Sequence, residues 1–182
     1  MYGLVNKAIE DLIVSRFGAE TWQRVCRRAG VDVSGFISMD PYPDELTYGL
    51  VAAAAEELDT PADRLLEAFG DYWTRYTARE GYGELLDLSG GTFEDFLENL
   101  DDMHARIALS MPGLRPPSFQ VDRDDEGRIL LTYISERAGL APMIRGLLRG
   151  LADRFQVDVD IETLPVVEGE PVVFAVRVLQ RQ

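Results

Sequence analysis

The chain has 182 residues, 46% hydrophobic and 27% charged, which is enough for one domain with a real core. Its net charge of −14 at pH 7 argues against nucleic acid or an anionic membrane as a partner. All of that excess sits in residues 40–102, with 17 acidic and 3 basic side chains, a surface suited to solubility or to a basic protein partner.

The start, Met1-Tyr2-Gly3-Leu4-Val5-Asn6-Lys7, lacks the basic-then-apolar layout of a signal peptide. No apolar run approaches the roughly 20 residues of a membrane span, so the expected location is the cytoplasm. Val5, Ile9, Leu12, Ile13 and Phe17 form one amphipathic helical stripe ending at Gly18. Trp22, Val25, Cys26 and Ala29 form a second, ending at Gly30, which makes Cys26 a small core residue. As the only cysteine, it also excludes intrachain disulfides and cysteine-rich zinc or iron–sulfur sites. A third helix is expected from Asp44 through Leu46, Leu50, Val51 and Ala54 to Leu58. A fourth opens at Thr60-Pro61-Ala62-Asp63, with Thr60 as cap and Pro61 at the first helical position, and carries Leu65, Phe69 and Trp73 at i, i+4, i+8. The glycine-broken stretch from Glu80 to Gly91 reads as a connection.

A helix capped at Thr92 then places Phe93, Phe96, Leu97, Leu100, His104 and Ile107 on one apolar face. His104 is the only histidine in the chain. An inward imidazole is either a core residue satisfied by a backbone carbonyl or a ligand to a buried metal, for which neutral imidazole is the commonest side chain. Leu114-Arg115-Pro116-Pro117-Ser118 cannot continue the helix. Ser118–Val121, a polar turn over Asp122–Gly127 and Arg128–Ser135 read as a hairpin. A helix over Gly139–Phe155 follows, and then two alternating strands, Val157–Ile161 and Val172–Val178, joined through Glu168-Gly169-Glu170. This order predicts an α+β fold: an N-terminal helical layer (about 1–112) packed on a C-terminal small antiparallel sheet with a helix (about 113–182), together one domain.

Strand geometry over Leu131–Arg137 puts Tyr133, Ser135 and Arg137 on one face. A phenol, a hydroxyl and a guanidinium side by side suit a carboxylate, although an ordinary polar strand face has the same pattern. Joined to one inward histidine, they suggest a cofactor with a metal at its centre and carboxylates at its edge, and haem fits that description. The lone histidine excludes a peroxidase with a distal histidine and a bis-histidine cytochrome.

The chain resembles the H-NOX (haem nitric oxide/oxygen binding) family, which includes the haem domain of soluble guanylate cyclase. The resemblance rests on Met1-Tyr2-Gly3-Leu4-Val5-Asn6-Lys7-Ala8, Gly81-Tyr82-Gly83, Leu100-Asp101-Asp102-Met103-His104, Arg115-Pro116-Pro117 and Tyr133-x-Ser135-x-Arg137, in that order over nearly the whole chain. It implies haem b buried between the two layers, with His104 as proximal iron ligand. Tyr133, Ser135 and Arg137 would bind the haem propionates, and Pro117 would press on the porphyrin. Oxygen-binding members carry a distal tyrosine on the helix after Tyr-x-Ser-x-Arg; alignment on Gly146 places Met143 there, and Ile9 stands where those members carry a tryptophan. Val5, Ile9, Trp73, Met143 and Leu147 would form an apolar distal wall selective for nitric oxide, with carbon monoxide as second ligand.

The resemblance also implies a sensor and not an enzyme: in this family the bond to His104 can break when nitric oxide binds, which frees its helix, and a separate partner, a histidine kinase or a cyclic-di-nucleotide enzyme, reads the change. The cysteine/histidine zinc site of some members is not carried over, because Thr163–Pro171 contains neither residue. Three alternatives stay open: an oxygen sensor using Trp73 as donor, a passive haem gas buffer, and a haem-free pocket for an apolar small molecule.

Overall fold

The computed structural model describes residues 1–32, 35–165 and 169–179. Four helices come first: α1 (Gly3–Phe17), α2 (Ala19–Ala29), α3 (Asp44–Glu57) and α4 (Ala62–Thr77). α2 ends as expected at Gly30, whose φ of 67° lies in the left-handed region. Cys26 is fully buried, as its position on the helix requires. The fourth helix differs at its start. It begins at Ala62 with Pro61 extended in the cap position, and the Thr60 hydroxyl turns back to donate to the Leu58 carbonyl at 3.0 Å.

α4 does not end in an open connection. It runs through a wide turn, Ala78–Tyr82, directly into the short helix α5 (Gly83–Leu88), and Gly81 takes the turn at a φ of 96°. The histidine segment, expected as one helix, is two: α6 (Phe93–Glu98) and α7 (Leu100–Ser110). Thr92 caps α6 by accepting from the Asp95 N–H. The break falls at Asn99, whose side-chain amide donates to the Asp95 carbonyl at 2.8 Å and so competes with the helical backbone.

The sheet is antiparallel, β1 (Ser118–Arg123), β2 (Ile129–Ile134), β3 (Asp158–Thr163) and β4 (Val172–Leu179), in the order β1-β2-β4-β3. α8 (Ala141–Phe155) lies between the two hairpins in sequence. The first hairpin turn is tighter than expected, since Asp124 accepts from the N–H groups of Glu126 and Arg128 and lets pairing run to Arg123. Of the second turn, Glu168 lies outside the described residues.

The helical layer and the sheet are joined chiefly by α4 against α8, and glycine is the reason they approach so closely. A Cβ at Gly70 would collide with the Met143 carbonyl, one at Gly146 with the Glu67 carbonyl, and one at Gly150 would come within 2.7 Å of the Asp71 carbonyl. Two apolar cores flank this joint. One holds Leu4, Ile9, Leu12, Val25, Leu50 and Phe69 from α1–α4. The other holds Phe93, Phe96, Leu97 and Met103 from α6 and α7 with Leu131, Tyr133, Phe174 and Leu148 from the sheet and α8. The fold is therefore α+β, as its element order predicts, and the expected site residues fall on both cores.

Candidate functional site

His104 sits mid-way along α7, half-buried, with Nδ1 3.2 Å from the Pro117 carbonyl oxygen. A carbonyl only accepts, so Nδ1 carries the proton and Nε2 keeps the lone pair. Burial holds the ring's pKa below its ordinary value, outweighing the Pro117 bond and the nearby Asp101 charge, so the imidazole is neutral at pH 7. A neutral imidazole with one nitrogen fixed by a backbone carbonyl is the state that ligates a metal.

The strand side reaches His104 through one ring. Phe119 lies 5.8 Å from the His104 ring and 5.7 Å from the Tyr133 ring, centroid to centroid. Asp101, one turn before His104, accepts from the Phe119 N–H and from the Ser118 hydroxyl, both at 2.7 Å, and so pins β1 to α7. Sequence reasoning missed both Phe119 and Asp101. Phe119 was visible only as an apolar strand residue, and the partners of Asp101 are 17 and 18 residues away.

Tyr133, Ser135 and Arg137 do converge, but not on one strand. β2 ends at Ile134, because the Ser135 hydroxyl accepts from the Arg137 N–H at 3.0 Å and turns the chain. The alternation in burial still continues: Tyr133, Ser135 and Arg137 are more covered than Ile134 and Glu136. The three residues line a cavity of about 310 Å³ with Leu140, Ala141 and Val172. Arg137 is anchored from two sides. Its Nε donates to Asp44 Oδ2 at 2.7 Å and its Nη1 to the Arg115 carbonyl at 2.7 Å, while the N-terminal ammonium meets Asp44 Oδ1 at 2.5 Å. Asp44 at the start of α3 thus ties the donor cluster to the start of α1, another contact the sequence did not reveal.

The residues expected as a distal wall divide between the cores. Ile9 is buried in the helical core, with Val5, Trp73 and Met143 packed against it and partly open, whereas Leu147 packs against the sheet-side core. No tyrosine occurs in α8. A larger surface cleft, 560 Å³ between α4, α8 and β3, is lined by ion-paired Glu67, Asp71, Arg149 and Asp153 and shares no residue with this site.

Residues 2–163 match the Haem-NO-binding (HNOB) family. The chain belongs to this family of haem-binding gas-sensor domains. It is 30% identical over 173 residues to soluble guanylate cyclase gcy-32 of Caenorhabditis elegans, covering 93% of this chain and 25% of that protein. It is 29% identical over 156 residues to soluble guanylate cyclase 89Db of Drosophila melanogaster, covering 85% of this chain and 23% of that protein. The H-NOX chain thus spans about a quarter of the length of these relatives. Its fold matches the H-NOX protein from S. oneidensis solved in the Fe(II)NO ligation state, with a TM-score of 0.89 and 20% identity over 99% of this chain and 100% of that one. Among the described residues, no helix is long and apolar enough to cross a membrane. The residues of this H-NOX chain suit a haem: one neutral imidazole with a free nitrogen, and a phenol, a hydroxyl and a guanidinium beside an opening.

Proposed function

We propose that this domain senses nitric oxide, with carbon monoxide as a second ligand, through haem b that His104 would hold. The observation that carries the reading is the Nδ1 bond from His104 to the Pro117 carbonyl, which leaves Nε2 free for a metal. Bound haem would supply a ferrous centre open to a diatomic gas. Tyr133, Ser135 and Arg137 would hold its propionates, and Pro117 would rest on the ring. On the gas side, Val5, Ile9, Met143 and Leu147 offer no hydrogen-bond donor, so the polarised oxygen ligand gains nothing there, while nitric oxide needs no such help.

His104 meets the start of the sheet through the Pro117 carbonyl and the Phe119 ring. A ligand-driven change at His104 would act on the α7–β1 junction, which the Asp101 bonds to Ser118 and Phe119 also hold, as a two-state element that a ligand can bias. A separate protein would read the shift, a histidine kinase or a cyclic-di-nucleotide enzyme, in the cytoplasm; the domain itself is not catalytic. A second reading, oxygen sensing, is favoured by Trp73, whose indole N–H is the one side-chain donor among the five wall residues. Optical spectra of the ferrous protein under argon, nitric oxide, carbon monoxide and air separate the two. Nitric oxide and carbon monoxide should each change the spectrum recorded under argon, and air should give slow oxidation. A stable oxygen complex would promote Trp73 to distal donor.

A further inference from the structure

The gas-binding reading uses Trp73 alone of an aromatic chain on α4. The rings of Trp73 and Tyr76 stack with centroids 6.3 Å apart and 29° between planes. Tyr76 and Tyr72 follow at 6.0 Å. Trp73 stands at the partly open wall, Tyr76 is buried, and Tyr72 emerges beside two half-exposed charges, Asp11 and Arg79. The Tyr72 hydroxyl donates to Asp11 Oδ2. Arg79 Nη2 donates to that hydroxyl at 2.6 Å and to Asp11 at 2.8 Å, and its guanidinium lies over both tyrosine rings, 5.6 and 5.9 Å from their centroids.

A phenol that gives up an electron becomes a strong acid, so it is readily oxidised only where its proton has a destination. Tyr72 has one, a carboxylate open to solvent. The hydrogen bonds to Asp11 come from Tyr72 and Arg79 and not from Tyr76, so the buried Tyr76 phenol keeps its proton and its ring serves as a bridge. An indole loses an electron without first losing a proton, which suits Trp73 to the inner end.

We propose that Trp73, Tyr76 and Tyr72 form a path that carries an oxidising equivalent along α4 to the surface, ending as a neutral radical on Tyr72. A one-electron oxidant such as nitrogen dioxide takes an electron from Trp73 and becomes nitrite, leaving the indole radical cation. Tyr72 then returns an electron to Trp73 through the Tyr76 ring and passes its hydroxyl proton to Asp11. Arg79 remains as donor to the resulting phenoxyl oxygen. The path depends only on ring contacts and the Asp11 bond, so it stands or falls separately from haem binding.

The test uses the full chain as purified. Tris(bipyridine)ruthenium(III), formed by a laser flash with persulfate as electron acceptor, supplies the one-electron oxidant, and electron paramagnetic resonance of freeze-quenched samples reads the radical. The wild type should give a neutral tyrosyl signal that Tyr72→Phe abolishes and Trp73→Phe weakens. Asp11→Asn keeps the phenol but removes its proton acceptor, and should leave a tryptophan radical in place of the tyrosyl one. Tyr48→Phe removes a phenol that is 37% exposed and donates only to the Ala138 carbonyl, and should leave the signal unchanged. An undiminished tyrosyl signal in Tyr72→Phe or in Asp11→Asn, or its loss in Tyr48→Phe, would overturn the proposal.

Discussion

The His104 ring and the Pro117 carbonyl face one another at 3.2 Å, which joins the middle of α7 to the first residue before β1. The proline expected to press on a porphyrin is thus also the residue that sets which imidazole nitrogen is free. The same junction is closed by Asp101, which accepts from the Ser118 hydroxyl and the Phe119 N–H.

The donor cluster gives a ranked prediction. Arg137→Ala should lower haem occupancy more than Ser135→Ala, because it removes a charged donor and strands Asp44 without its guanidinium. Pyridine haemochrome assay of the purified variants measures this. Equal occupancy in wild type and both variants would count against the propionate assignment.

Asp44 makes stability pH-dependent. Burial pushes its carboxyl up, but bonds from Arg137 and the N-terminal ammonium outweigh that and hold it below its ordinary value. A depressed carboxyl contributes stability that is complete above its unfolded value of about 3.9 and is lost as pH falls through the folded one. Asp44→Asn should therefore melt below wild type at pH 7, with the difference closing as the solution is acidified past that range. The side chain is 34% exposed, so solvent screening keeps the effect modest. A melting difference that stays constant with pH would show that the ion pair is not its source.

The α4–α8 joint should tolerate no side chain. Gly146→Ala drives a methyl into the Glu67 carbonyl, backbone against backbone, and should cost about 1–3 kcal/mol or more, read by urea unfolding. A cost near zero would mean that the two helices can separate freely.

On the proposed reading, gas choice turns on Met143. Met143→Tyr places a phenol on the wall that lacks one, and should raise oxygen affinity by the value of one hydrogen bond, about 1–3 kcal/mol or roughly 5- to 150-fold. Oxygen titration of the ferrous variant measures it. Unchanged affinity, with the phenol confirmed as facing the gas, would remove the donor argument for nitric oxide selectivity.

Much of this was legible in the sequence because it is local. Period and punctuation located α1 to α4, α8 and the strands, and Gly30 and Thr92 marked helix ends that hold. What the sequence hid was set by partners far along the chain or by local competition for the backbone. Asn99 splits the histidine helix through its own amide, and Ser135 ends β2 early, yet neither residue looks unusual in its place. Asp44, 93 residues from Arg137, read as a plain helix start. Nothing in the helix pattern shows that Gly70 and Gly146 face an opposing backbone, because that contact is made between helices far apart in the chain.

The central claim is that His104 holds the haem iron, and one substitution tests it most directly. His104→Gly removes the only imidazole in the chain and opens a space of its shape. Purified with and without added imidazole, the variant should lose normal haem retention and regain it, with a ferrous spectrum like that of wild type, when free imidazole fills the gap. An unchanged Soret band in the variant without imidazole would make His104 a structural residue and contradict the account.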